Sequence, residues 1–196
     1  FVFTLKAPRY VTQRRVLAGT GDSIRRFLAS GLDELGPKLG PIIWQLPPTR
    51  VFDCADLAGF LDLLPDQLNG LPLHHAIEPR HESFRAPAFA ALLENRGVAV
   101  VRDADGPYPD IDVATAPFAY LRLLGTREGE PLGYPDKALD RWATHLRRIA
   151  KTRDVFAFVI SGHKEANPAA AQALIERLRK SPSPRTSPAQ TPDKAR

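Results

Sequence analysis

Residues 98–105 read VAVVRDAD. The first four are apolar without a break, so the stretch lacks the in–out alternation of a sheet that is wet on one side. Such a run suits a strand covered on both faces, as in a parallel sheet flanked by helices. It ends abruptly in charge, at Arg102, Asp103 and Asp105.

The same grammar repeats outward in both directions. FVFTLKA (1–7), PIIWQL (41–46), residues 73–78, FAYLRLLG (118–125) and DVFAFVIS (154–161) read as further strands. Between them lie helical spacings. Asp22 opens a run with Ile24, Phe27, Leu28, Leu32 and Leu35 on one face, stopped by Gly36-Pro37. A second helix starts near Asp53 and buries Leu57, Phe60, Leu61 and Leu64. A short one spans 86–95, and Gly97 stops it. Pro135 suits the first turn of a helix carrying Leu139, Trp142, Leu146 and Ile149. Asn167-Pro168 caps the last, through Leu174, Ile175 and Leu178. GPYPDIDVATAP (106–117) has no helical period and reads as a loop.

Strands alternating with helices predict a parallel α/β domain. A dinucleotide fold is excluded, because Gly19 and Gly21 lie more than ten residues beyond the first strand and no third glycine follows at the required spacing. A (β/α)₈ barrel needs about 250 residues, and the ~180 outside the tail hold about six βα units. The expectation is a TIM-type (β/α) barrel with about six of its eight units in this chain. Residues 181–196, SPSPRTSPAQTPDKAR, hold four prolines and almost nothing apolar, which predicts a disordered tail.

Composition narrows the function classes. With 43% hydrophobic and 25% charged residues, the chain is that of an ordinary soluble domain. No apolar run approaches the roughly 18 residues of a membrane span, and FVFTLKA is not a leader, so a cytoplasmic protein without a membrane partner is expected. The lone Cys54, in the first turn of a helix, fits a reducing compartment and reads as structural. The net charge is +5, but +3 of it sits in residues 180–196. The chain has no methionine and begins at Phe1, inside a strand, so a fragment or processed form is expected.

Several stretches resemble one family, the YecE-like proteins, built on a domain of unknown function with a TIM-barrel fold. They are FVFTLKAPRYVT, LGPKLGPIIWQLPP, HAIEPRHESF, VAVVRDAD, TAPFAYLRLLG followed by YPDKALDRWA, and NPAAAQAL. They recur in the family's order across residues 1–180. The resemblance implies that Phe1 lies in the third barrel strand and that two N-terminal βα units are missing. The chain departs from the family at Gln13 and Leu124, where histidine is frequent, at Phe84 for a tryptophan, and at Pro79 for an aromatic.

In a barrel, the polar residues that end each strand converge at one mouth. Those residues are Lys6; Gln45; Glu78, Arg80 and His81; Arg102, Asp103 and Asp105; Arg122; and Ser161, His163 and Lys164. Glu78 reads as a general acid or base, or as the partner of Arg80 in a structural ion pair. His81 is a proton carrier or a helix cap. Asp103 pairs with Glu78 for hydrolase-like chemistry, ligates a divalent cation, or forms a turn. Ser161, His163 and Lys164 precede a helix N-terminus and form an anion site or a plain connector. Lys6, Gln45, Arg80 and Arg122 complete a ligand-binding set. The histidines show no zinc spacing, so neither metal nor cofactor is expected. The expected partner is a small anionic or sugar-like ligand. The arginines of PRYVTQRR and LRRIAKTR leave two other readings open, nucleic acid bound on a basic surface, or a truncated and inactive fragment.

Overall fold

The computed structural model describes residues 2–180; the tail read as disordered, 181–196, lies outside them. The chain runs through β1 (Phe3–Lys6), α1 (Arg9–Thr12), α2 (Gly21–Leu28), β2 (Leu39–Gln45) and α3 (Cys54–Asp62). A small hairpin, β3 (Gln67–Leu68) and β4 (Leu71–Pro72), precedes β5 (His75–Glu78), α4 (Pro87–Glu94) and β6 (Ala99–Asp103). Then come β7 (Phe118–Leu123), α5 (Asp136–Ile149), β8 (Asp154–Val159) and α6 (Asn167–Arg179).

The six expected strands form one parallel sheet in the order β1-β2-β5-β6-β7-β8. The order follows the chain because each crossover, helical except for the loop 104–117 between β6 and β7, carries the backbone back to start the next strand alongside the last. The sheet is strongly curled. Three strands separate β1 from β7, yet Thr4 Oγ1 and Tyr120 OH approach to 2.9 Å across the concave side. Ile43, Ala76, Ala99, Val101 and Tyr120 line that inner face. Phe158 stacks on Tyr120 at 5.1 Å and 19°. Burial pushes the Tyr120 phenol up to about 12. Ile42, Trp44, Ile77 and Val100 point outward, into a helix-covered core with Phe60, Phe84, Phe89 and Leu93. The central strands are therefore covered on both faces, as the unbroken apolar run at 98–101 predicts, while β1 and β8 at the sheet's edges are only partly buried.

Two local readings need correction. The helix expected from Asp22 to Leu35 ends at Leu28, because Gly31 takes a left-handed φ of 91° and the chain restarts as a 3₁₀ turn over Leu32–Lys38. The β3–β4 hairpin is absent from the sequence reading, although Asn69-Gly70 is a strong turn signal. Both residues have positive φ, 48° and 82°, as a tight hairpin requires. The helix expected from near Asp53 is α3, and Asp53 caps it, its side chain accepting from Asp56 N–H at 3.0 Å.

His75 is locked into the outer core. Trp44 Nε1–H donates to its Nδ1 at 3.1 Å, so the proton sits on Nε2, which donates to the Pro65 carbonyl at 2.8 Å. Burial lowers its pKa, more than the Pro65 bond and Asp66 raise it. The unfolded ring takes up a proton near pH 6.5 and the folded ring only at lower pH. Stability is therefore lost as pH falls through 6.5, and the loss stops once the folded ring also protonates. The advantage of wild type over His75→Asn in melting temperature should shrink between pH 7.5 and 5.5. An advantage that is constant with pH would overturn this account.

Candidate functional site

The parallel strands all deliver their C-terminal ends to one side of the sheet, where ligand crevices form in such folds. Gln45 at the end of β2 lies in register with Glu78 at the end of β5, and Asp103 of β6 with Arg122 of β7. These residues share the inner-face parity of Ile43, Ala76, Val101 and Tyr120.

Glu78 is the hub, 1% exposed. Its Oε1 accepts from Arg80 Nε at 2.8 Å, Arg122 Nη1 at 2.5 Å and Gln45 Nε2 at 3.0 Å. Arg80 Nη2 also lies 2.7 Å from Oε1, and Oε2 takes a bond of 2.9 Å from Gln45 Nε2. One buried carboxylate thus orders two guanidiniums, and Asp103, in register with Arg122, is the next acidic group beside them. The other nitrogens of Arg122 have no partner among the described residues and are not sealed from solvent. Arg80 is backed by Tyr108, whose ring centre lies 4.3 Å from the guanidinium carbon and whose hydroxyl is 3.3 Å from Nη1. Tyr108, on the aperiodic loop after β6, was not among the residues singled out from sequence. Only its aromatic character in a polar loop marked it.

Asp103 fastens that loop. It is 3% exposed, and its Oδ2 accepts from Tyr108 N–H at 3.2 Å. Its Oδ1 is buried with no partner among the described residues, packed so closely on Gly106 that a side chain there would overlap it. Burial, helped by Glu78 and Asp105, pushes the Asp103 carboxyl up, while Tyr108 N–H and Arg122 oppose the shift.

Arg102 does not reach the mouth. Neighbouring strand residues point to opposite faces, and Arg102 points outward. There it binds Asp110 through Nε at 2.6 Å and Nη2 at 2.9 Å, Asp112 at 2.9 Å and His145 Nε2 at 2.7 Å, pinning the loop to α5. Asp105 is also spent on structure. Its Oδ1 accepts from the N–H groups of Leu124 and Gly125 at 2.6 and 3.0 Å, and its Oδ2 from the Tyr134 hydroxyl at 2.6 Å. Burial and Asp105 push the Tyr134 phenol well above its usual range.

His81 caps the 3₁₀ turn Glu82–Arg85, its Nδ1 accepting from Ser83 N–H at 3.2 Å. Lys6 is exposed and stands on the same strand face as Thr4. Ser161, His163 and Lys164 lie outside the hydrogen-bonded cluster. Their loop is latched to Thr126, whose hydroxyl meets the carbonyls of Ser161 and His163, each at 3.3 Å. Among the described residues, no group of three or more histidine, cysteine, aspartate or glutamate side chains could hold a metal ion. No helix in those residues is long and apolar enough to cross a membrane.

A family model described as a protein of unknown function, DUF72, matches residues 1–195. No curated protein matches the chain. Solved structures of DUF72 family proteins share the fold. A DUF72 family protein from Thermotoga maritima is 19% identical, with a TM-score of 0.63 over 89% of this chain and 72% of its own. One from Enterococcus faecalis is 16% identical, with a TM-score of 0.68 over 98% of this chain and 79% of its own.

Proposed function

The chain belongs to the DUF72 family, whose function is not established, and on that footing we propose that it binds a small anionic ligand at the C-terminal ends of its strands. The observation that carries this reading is the Arg80–Glu78–Arg122 cluster. One carboxylate at the centre of two guanidiniums leaves Arg122 with donors open to solvent, and the burial that pushes the neighbouring Asp103 carboxyl up weakens the other negative charge beside it. A phosphate or carboxylate, or an acidic sugar, matches those forked donors. Glu78 serves as the anchor that aims both arginines, and Asp103 shapes the loop that brings Tyr108 against Arg80. Lys6 supplies a further cation from β1, and Gln45 holds the Glu78 carboxylate. In the same reading the curled sheet is six strands of a TIM-type barrel, five of them followed by a helix and β6 by the loop 104–117, supported by the consecutive parallel order and the polar strand ends. A cytoplasmic setting fits the single cysteine.

Calorimetric titration with inorganic phosphate and with malonate tests the proposal. Arg122→Gln should weaken binding by roughly tenfold or more, since it removes a charged hydrogen-bond donor. Equal affinity in wild type and Arg122→Gln would sink the reading. A short oligonucleotide whose binding falls steeply with salt and ignores Arg122→Gln would instead favour a basic nucleic-acid surface.

A further inference from the structure

A groove that shares no lining residue with the Arg80–Glu78–Arg122 cluster lies between the segment after β7 and one face of α5. Its volume is about 760 Å³, within the range of small-molecule sites. On α5 its wall is Ala138, Arg141, Trp142 and His145, spaced so that they share one helical face. Arg127 lines it from the opposite segment.

The groove has cations to spare. The acidic groups of α5 are taken elsewhere, Arg177 binding Asp136 at 2.5 Å and Asp140 at 2.9 Å. Arg127 and Arg141 are exposed, and neither side chain has an ion pair or hydrogen bond among the described residues. Asp105 also lines the groove, but both its oxygens are taken by Leu124, Gly125 and Tyr134. Burial and Arg102 lower the His145 pKa, against Asp112 and Asp110, which disfavours a charge on its imidazole. Trp142, half-buried, supplies an aromatic wall beside these cations.

We propose that this groove binds a phosphorylated aromatic molecule of the nucleoside monophosphate class, its ring against Trp142 and its phosphate between Arg127 and Arg141. Two unpaired guanidiniums match a phosphate monoester, which carries nearly two negative charges at neutral pH. Stacking on an indole adds selectivity for a planar ring. The site shares no residue with the Arg80–Glu78–Arg122 cluster.

Equilibrium dialysis with adenosine monophosphate, adenosine and inorganic phosphate tests it on the full chain. Adenosine monophosphate should bind at least ~10-fold tighter than either part alone, and the Arg127→Gln/Arg141→Gln double variant should lose at least ~10-fold. Both arginines are exposed, so that variant keeps its fold, which thermal unfolding checks. Trp142→Leu should weaken the nucleotide while leaving phosphate unchanged. Arg122→Gln should leave the nucleotide affinity as it is, which separates this site from the strand-end site. Failure of wild type to bind at millimolar nucleotide, adenosine binding as tightly, or the double arginine variant binding like wild type would each overturn the proposal.

Discussion

Glu78→Gln should cost about 3 kcal/mol of stability, because it leaves two clustered guanidiniums without their counter-charge. For a chain of this length that is a fall in melting temperature of roughly 6–12 °C. The carboxylate is 1% exposed, and the arginine side chains are 17% and 13% exposed, so water cannot easily replace it. Glutamine keeps one acceptor oxygen and the shape of the side chain, so the loss reports charge rather than packing. A second substitution sharpens the test. Adding Arg122→Gln to Glu78→Gln removes one of the stranded cations and should recover part of the loss. Neutral behaviour of Glu78→Gln, or strict additivity of the pair, would mean that the cluster is not the electrostatic unit its geometry describes.

Trp44→Ala should be more severe, about 4 kcal/mol, or roughly 8–16 °C in melting temperature. Trp44 is fully buried, edge-on to Phe27 at 5.9 Å and to Phe60 at 5.5 Å. Its loss opens a cavity behind β2 and strands the Nδ1 of His75, which has no other donor. Trp44→Phe separates the two causes. It keeps part of the ring contacts but loses the indole N–H and the volume of the second ring, so it should cost about 1–3 kcal/mol, less than the full truncation. Thermal or denaturant unfolding of the two variants gives the comparison. A Phe variant as unstable as the Ala variant would put the hydrogen bond, not the packing, in charge.

The strand-end cluster was legible in part. The run Glu78-Pro79-Arg80 at the end of an apolar strand marked an ion pair near a mouth, and the 2.8 Å bond from Arg80 Nε to Glu78 is that pair. That Arg122 joins it, from 44 residues away, follows from the register of β5, β6 and β7. His81 kept two readings in the sequence, and the Ser83 N–H bond places it as a cap. The Asn69-Gly70 hairpin was missed although its turn chemistry is local and readable. Tyr108 had no such signal, since its loop carries no period and its position depends on Asp103 and Arg80 together.

The order of elements, the parallel sheet and the polar strand ends were determined by the sequence alone. They depend on hydrophobic period, on capping residues and on helix breakers, all of which act within a few residues of each other. The tertiary structure alone decided which residues of RDAD face the mouth. Adjacent strand residues point to opposite faces, and an alternating pattern would normally say which is which. Here Val100 and Val101 are both buried, one against the helices and one inside the curl, so the sequence carries no alternation to read. Asp103 turned inward toward the arginines and Arg102 outward to Asp110 because the curled sheet has two apolar faces, and only packing against both assigns the parity.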